Sequence, residues 1–313
     1  MDQKTFFFCI LFLSCYCYSV QETPPYENDP RPECINDMNK EYYIRQRRII
    51  GGEDADVNSF RFVAEILFTG IPFCAAFIIT DKHVLTAAHC FYKEGTRITY
   101  KLNRMLLVIG DYNVMKLDEV KHHMRIIYEA HIHPEYDDVS VDNDIAVLKF
   151  EPALSLGKNL KATILPPPNT EPPEGSTVVA WGWGVNAFEK GNRSYILQKV
   201  DIPYLVKEVC KKMISRFTDN MFCAGRKGKI TCRGDSGSSL LLKVDYYYVS
   251  FAITSHGFNC GEKMLPSIYT DVSRYINWIY ELTKEADCKP AIHSKENYPH
   301  RESKESNHDE LFK

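Results

Sequence analysis

From residue 49 onward the chain reads as short apolar stretches separated by turn residues. FRFVAEILF (60–68), FCAAFIIT (73–80), RMLLVIGDY (104–112), DIAVLKF (144–150), STVVAWGWG (176–184) and YYYVSFAITS (246–255) are alternating or continuously apolar and of strand length. Many such runs with no helices interleaved predict an all-β barrel or sandwich. One segment departs from the pattern. VSRYINWIYELTKEA (272–286) sets Val272, Tyr275, Ile276, Ile279 and Leu282 at helical spacing, so a helix is expected there with one face on a β core.

The flanks carry different patterns. Lys4 precedes the apolar run Phe6 to Leu13, and CYCYSV then leads into polar QETPP. A charged start, a short apolar core and small residues at the exit predict a signal peptide over 1–19, with Cys17 and Ser19 at the cleavage-site positions. The run is too short to span a bilayer, so secretion is expected rather than anchoring. Residues 20–48, rich in Pro and charge and ending in RQRR, read as a flexible leader. Residues 289–313 are charged and lack an apolar face, and they read as a disordered polar tail. The globular part is therefore expected over 49–288.

Composition narrows the function classes. With 44% hydrophobic and 25% charged residues, the chain has the balance of an ordinary globular protein. A net charge of −3 gives no reason to expect nucleic acid or an anionic membrane as a partner. Of 11 cysteines, Cys9, Cys15 and Cys17 fall in the signal segment, leaving Cys34, Cys74, Cys90, Cys210, Cys223, Cys232, Cys260 and Cys288. An even number in a secreted chain implies disulfides, and eight cysteines allow 105 pairings. None shows the paired spacing of a zinc site, so no metal is expected.

Three short motifs offer chemistry. TAAHC (86–90) presents His89, DNDIAVLKF (142–150) presents Asp144 at the start of an apolar run, and GDSG (234–237) presents Ser236 between glycines. A serine needs a base, a group to orient that base, and donors for the oxyanion, and these residues could supply each part. Alone, each motif has an ordinary reading as a turn or a structural histidine.

Together, in the order His, Asp, Ser, they resemble the trypsin/chymotrypsin family of serine peptidases. IIGGEDA (49–55), HPEY (133–136), GWG (182–184), FCAG (222–225), CRGDSG (232–237) and SHG (255–257) stand in family order, and the resemblance spans 49–279, about three quarters of the chain. It implies two packed six-stranded antiparallel barrels with a C-terminal helix. Ser236 would be the nucleophile, His89 the base and Asp144 its orienter. The N–H groups of Gly234 and Ser236 would form the oxyanion hole, and Ser255 would support Asp144. Activation would follow cleavage after Arg48, freeing the Ile49 amino group to pair with Asp235. RQRR suits either a trypsin-like activator or a furin-type convertase. No cofactor is implied. Protein or peptide substrates, an activating protease and protein protease inhibitors are the expected partners, and a monomer is the expected state.

The resemblance also places Ile230, Thr231, Ser255, Gly257 and Ser267 in the primary specificity pocket. Ile230 stands where an aspartate would select Arg or Lys, and Ser267 where glycine is usual, so apolar residues of medium size are the expected preference. It selects the disulfides Cys74–Cys90, Cys210–Cys223 and Cys232–Cys260. The family's cysteine in the inter-barrel connection is replaced by Ile164, which leaves Cys34 and Cys288 to pair with each other or with another chain. GDSGSS departs from the family's GDSGGP, and a left-handed Ser238 would be strained. A catalytically silent homologue that acts by binding is the rival reading, and a trypsin-like cascade protease is a further one. Asn192-Arg193-Ser194 is a glycosylation sequon. Asp111, Asn113, Asp118 and Glu119 lie where some relatives bind calcium and read here as a solvated loop.

Overall fold

The computed structural model describes residues 34, 52–56, 59–93, 96, 98–116, 122–185, 193–226, 230–232, 234–245, 247–257 and 265–299. The expected signal peptide, nearly all of the leader, Arg48, Ile49, Asp118, Glu119, Asn192, Cys260 and residues 300–313 lie outside this set.

After a two-residue strand β1 (Glu53–Asp54), six strands close the first barrel. They are β2 (Val63–Phe68), β3 (Ile71–Ile78), β4 (His83–Thr86), β5 (Met105–Ile109), β6 (His123–Ile132) and β7 (Ala146–Glu151), ordered β2-β3-β4-β7-β6-β5. The short β8 (Ile164–Leu165) lies in the inter-barrel connection. The second barrel uses β9 (Thr177–Gly182), β10 (Gln198–Leu205), β11 (Met221–Ala224), β12 (Ser239–Val244), β13 (Tyr247–His256) and β14 (Ser267–Asp271), with α1 (Lys207–Met213) between β10 and β11. Its antiparallel order β9-β10-β11-β14-β13-β12 closes through the pairing of β12 with β9. Closure leaves no unpaired edge within either ring.

The core explains why these runs became strands. The second half of β3, CAAFI, is fully buried, and β10 alternates buried and part-exposed positions along QKVDIPYL, the two patterns of a strand covered on both faces or on one. Where the barrels meet, Phe62 packs edge-on against Trp181 and Trp181 edge-on against Trp183, while Phe60 lies tilted against Tyr248. The expected terminal helix is present as α2 (Ile276–Thr283), entered through a 3-10 turn over Val272–Arg274. Val272, Tyr275, Ile276 and Ile279 are buried as their spacing foretold.

Two expectations are corrected. Residues 289–299 are not a disordered tail. Strand β15 (Ala291–Ile292) pairs in parallel with β8, and Tyr298 is buried in the second barrel's core. Three apolar residues among charges show no periodicity, but the exposed edge of β8 supplies the partner that local sequence lacks. Asp111 and Asn113 do not belong to a solvated loop either. Both are buried, with Asp111 facing His122 at 3.6 Å and Asn113 accepting from the Met115 N–H.

Disulfides join Cys74 to Cys90, Cys210 to Cys223, and Cys34 to Cys288. Cys232 is also disulfide-bonded. Cys34 is buried at the inter-barrel connection, where its carbonyl accepts from the Ala162 N–H. Its link to Cys288 fastens this point of the leader to the segment after α2.

Candidate active site

His89 lies in a 3-10 turn, Ala88–Phe91, directly after β4. The adjacent Cys90 is bonded to Cys74 of β3, which fixes the turn against the first barrel. Asp144 begins the apolar run of β7 and is wholly buried. It follows Asn143, whose φ of 53° is left-handed, a conformation Asn tolerates better than most residues. Asn143 is held by the Tyr275 hydroxyl at 2.9 Å, and the Thr270 hydroxyl donates to the Asp144 carbonyl at 2.9 Å.

These elements bring together residues far apart in sequence. His89 Nδ1 lies 2.8 Å from Asp144 Oδ2, the His89 backbone N–H donates to Oδ1 at 2.8 Å, and Ser255 Oγ donates to Oδ2 at 2.5 Å. A carboxylate only accepts, so Nδ1 carries the proton and Nε2 of neutral His89 is left as a base. Burial pulls the His89 pKa down, but the Asp144 charge and hydrogen bond outweigh it and the net shift is upward. Burial likewise pushes Asp144 up. The His89 charge, with hydrogen bonds from His89 and Ser255, holds it below the ordinary carboxylate value.

Ser236 sits in a tight turn tied to both barrels. Its carbonyl accepts from the Ala75 N–H of β3 at 2.7 Å, and the Gly237 N–H donates to the Thr254 carbonyl of β13 at 2.8 Å. Gly237 has φ of 84°, and a Cβ there would collide with the Ala75 carbonyl and the Thr86 hydroxyl. Only glycine fits such a position. The two serines that follow are not strained: Ser238 is absent from the positive-φ residues. Its hydroxyl pairs with Thr254 Oγ1 at 2.9 Å, and Ser239 Oγ accepts from Trp181 Nε1 and Ser250 Oγ, each at 3.0 Å.

A cleft of about 520 Å³ is lined by His89, Ser236, Thr231, Ser255, His256 and Gly257 together with aromatic residues including Phe73 and Tyr100. Of the expected pocket residues, Thr231, Ser255 and Gly257 line this cleft, whereas Ile230 and Ser267 are buried and do not line it. A Cβ on Gly257 would stand 3.2 Å from Ser267 Oγ, so the serine closes tightly on that glycine. Thr231 Oγ1 and the Tyr269 hydroxyl lie 3.1 Å apart and bond each other.

Asp235 is buried beneath the turn. The backbone N–H groups of Cys232 and Gly184 each donate to it at 2.9 Å. Burial raises its pKa to about 6 against the pull of those two donors and of Arg193. Among the described residues, no cation lies within ion-pair distance of it. Arg193 instead reaches the Gly234 carbonyl at 3.3 Å and Glu65 at 3.9 Å. Neither Arg193 nor His256 stood out in the sequence as a site residue. Arg193 is 41 residues from Gly234, with no local signal to connect them. Cys74, His89 and Cys90 also cluster as a metal site would, but both sulfurs are spent in the disulfide and offer no thiolate.

Residues 49–279 match the trypsin family. The chain is 35% identical to a protein named trypsin from Phaedon cochleariae, the match covering 75% of this chain and 88% of that one. It is 32% identical to trypsin V-A of Rattus norvegicus, covering 76% and 90% respectively. It is 34% identical to venom serine protease 34 of Apis mellifera, covering 77% of this chain and 60% of that protein.

Proposed function

Because this chain belongs to the trypsin family, we propose that it is a secreted serine endopeptidase, made as a zymogen and activated by cleavage after Arg48. The observation that carries this reading is the buried Asp144 accepting from both His89 and Ser255 beside a cleft that also holds Ser236. Ser236 Oγ attacks the scissile carbonyl as His89 Nε2 takes its proton. The tetrahedral oxyanion is bound by the N–H groups of Gly234 and Ser236. His89 then protonates the leaving amine, and a water activated by the same base releases the acyl group. Asp144 holds His89 in the required tautomer throughout.

Cleavage would supply the cation that Asp235 lacks among the described residues. The freed Ile49 ammonium pairs with it and orders the oxyanion turn, and breaking such a buried pair costs about 3–5 kcal/mol. The Cys34–Cys288 disulfide would keep the cut leader attached. The disulfides and the N-terminal pattern favour an oxidising, extracellular setting, and Asn192 is the proposed glycan site.

The proposed preference is for medium apolar side chains before the scissile bond. Ile230 offers no charge to a substrate cation, and burying Arg or Lys unpaired would cost several kcal/mol. The names of the trypsin relatives favour the second reading, cleavage after Arg or Lys. A panel of peptides differing only at that residue separates the two, using chain cut after Arg48 with Ser236→Ala as control. Faster turnover after Leu, Val or Met than after Arg is expected. Faster turnover after Arg would overturn the pocket assignment, and silence in both proteins would favour the binding homologue.

A further inference from the structure

The cleft contains a second imidazole that the mechanism above leaves unused. His256, directly after Ser255 at the end of β13, lines the same cleft as His89 and Ser236. Its Nδ1 lies 3.1 Å from Ser255 Oγ, and that same oxygen lies 2.5 Å from Asp144 Oδ2.

Proton counting fixes the direction of both bonds. A serine hydroxyl has one proton, and the carboxylate of Asp144 can only accept, so the serine proton lies on the bond to Asp144. His256 Nδ1 must then be the donor to Ser255. The result is a directed chain from His256 Nδ1–H to Ser255 Oγ–H that ends on Asp144, where the base His89 donates its own Nδ1–H from the other side.

We propose that His256 is a positioning residue for the Asp144–His89 pair, donating from Nδ1 to Ser255 Oγ and so committing the serine's one proton to Asp144. Donation to Ser255 polarises its O–H and strengthens the bond to Asp144, as sequential hydrogen bonds reinforce one another. A better-stabilised carboxylate attracts a proton on His89 less strongly, so the chain trims the basicity that Asp144 confers. The charge state of His256 does not reverse this sense. Burial holds its pKa down, Asp144 pulls it up and His89 pushes it down. The protonated form would still donate from Nδ1, and its positive charge would also oppose protonation of His89. Lys93, Asp138, Tyr92, Tyr100 and Tyr136 line the same cleft and form a background common to all the variants below.

The proposal rests on the endopeptidase reading only for its kinetic arm, and its first test needs no turnover. In the full-length chain carrying 15N-labelled histidine, with the His256 signal assigned by its loss in His256→Asn, the ring shifts should show a proton on Nδ1. A neutral ring protonated on Nε2 alone would overturn the proposal whether or not the chain hydrolyses peptides. In the kinetic arm, His256→Phe removes the donor and should move the acid limb of kcat/KM to higher pH by about half a unit. His256→Asn places an amide N–H near the former Nδ1 and should return the limb toward its original position. An unmoved limb in His256→Phe, with only KM altered, would overturn the positioning role. If the wild-type chain shows no turnover, the endopeptidase reading fails and the nitrogen shifts alone decide the place of His256.

Discussion

Replacing Asp144 by asparagine is expected to lower kcat by about four orders of magnitude with the fold intact, the loss this change brings in the family's template enzyme. The hydrogen bonds give the reason. Oδ2 accepts from His89 Nδ1 and Ser255 Oγ, while Oδ1 accepts from the His89 backbone N–H. An asparagine must turn its NH2 group toward one side. Facing the backbone N–H it sets donor against donor, so the amide is driven to place NH2 toward His89 Nδ1. The imidazole then gives up its Nδ1 proton, carries one on Nε2, and cannot accept from Ser236. Pre-steady-state kinetics on matched wild-type and D144N chains, with circular dichroism melts to confirm folding, would measure the effect. A loss below tenfold would mean that Asp144 does not set the tautomer of His89.

The uncleaved chain should lose about 3 kcal/mol of stability between pH 4 and pH 6 through Asp235, and cleavage after Arg48 should abolish that loss. Burial raises the Asp235 pKa from 3.8 to about 6. A raised folded-state pKa means the native chain binds the proton more tightly than the unfolded chain. The stabilisation is therefore complete below the unfolded value and fades as pH rises through the folded one. Once cut, the Ile49 ammonium would pair with the ionised carboxylate and remove the penalty. Glu65, whose pKa burial raises to about 7 against the pull of Arg193 and with a push from Asp111, titrates in the same sense. It is present in both forms, so the difference between their curves isolates Asp235. Urea unfolding of Ser236→Ala chain, uncut and cut, across this pH range provides the measurement. Superimposable curves would show that Asp235 does not receive the new terminus.

Much of this site could be read in the sequence because its motifs are local. TAAHC, DNDIAVLKF and GDSG each place one functional group on a turn or strand whose own pattern is strong, and their order supplied the family resemblance. The strands found most readily were those with continuous apolar runs, such as β3 and β13. Strand β6 escaped because Met124, Ile126 and Tyr128 occupy its exposed positions, which erases the contrast between faces on which alternation depends. Contacts made by folding were also hidden. Ser255 and Asp144 are 111 residues apart, and the place of His256 follows from that pairing rather than from SHG itself. Residues 289–299 look unstructured in isolation because their order depends on the edge of β8. The suspicion over Ser238 and Ser239 arose from comparing letters. The structure gives both hydroxyls partners in a turn whose demand for left-handed backbone falls on Gly234 and Gly237.

Covalent labelling by an organophosphorus fluoride tests most directly whether Ser236 is a working nucleophile. The reagent needs an activated serine and an oxyanion site but no match to the specificity pocket. Chain cut after Arg48 should take up one equivalent, located on Ser236 by peptide mass mapping, with labelling lost in Ser236→Ala and strongly slowed in D144N. No uptake by a folded, correctly cut chain, or labelling spread over other serines, would contradict the account.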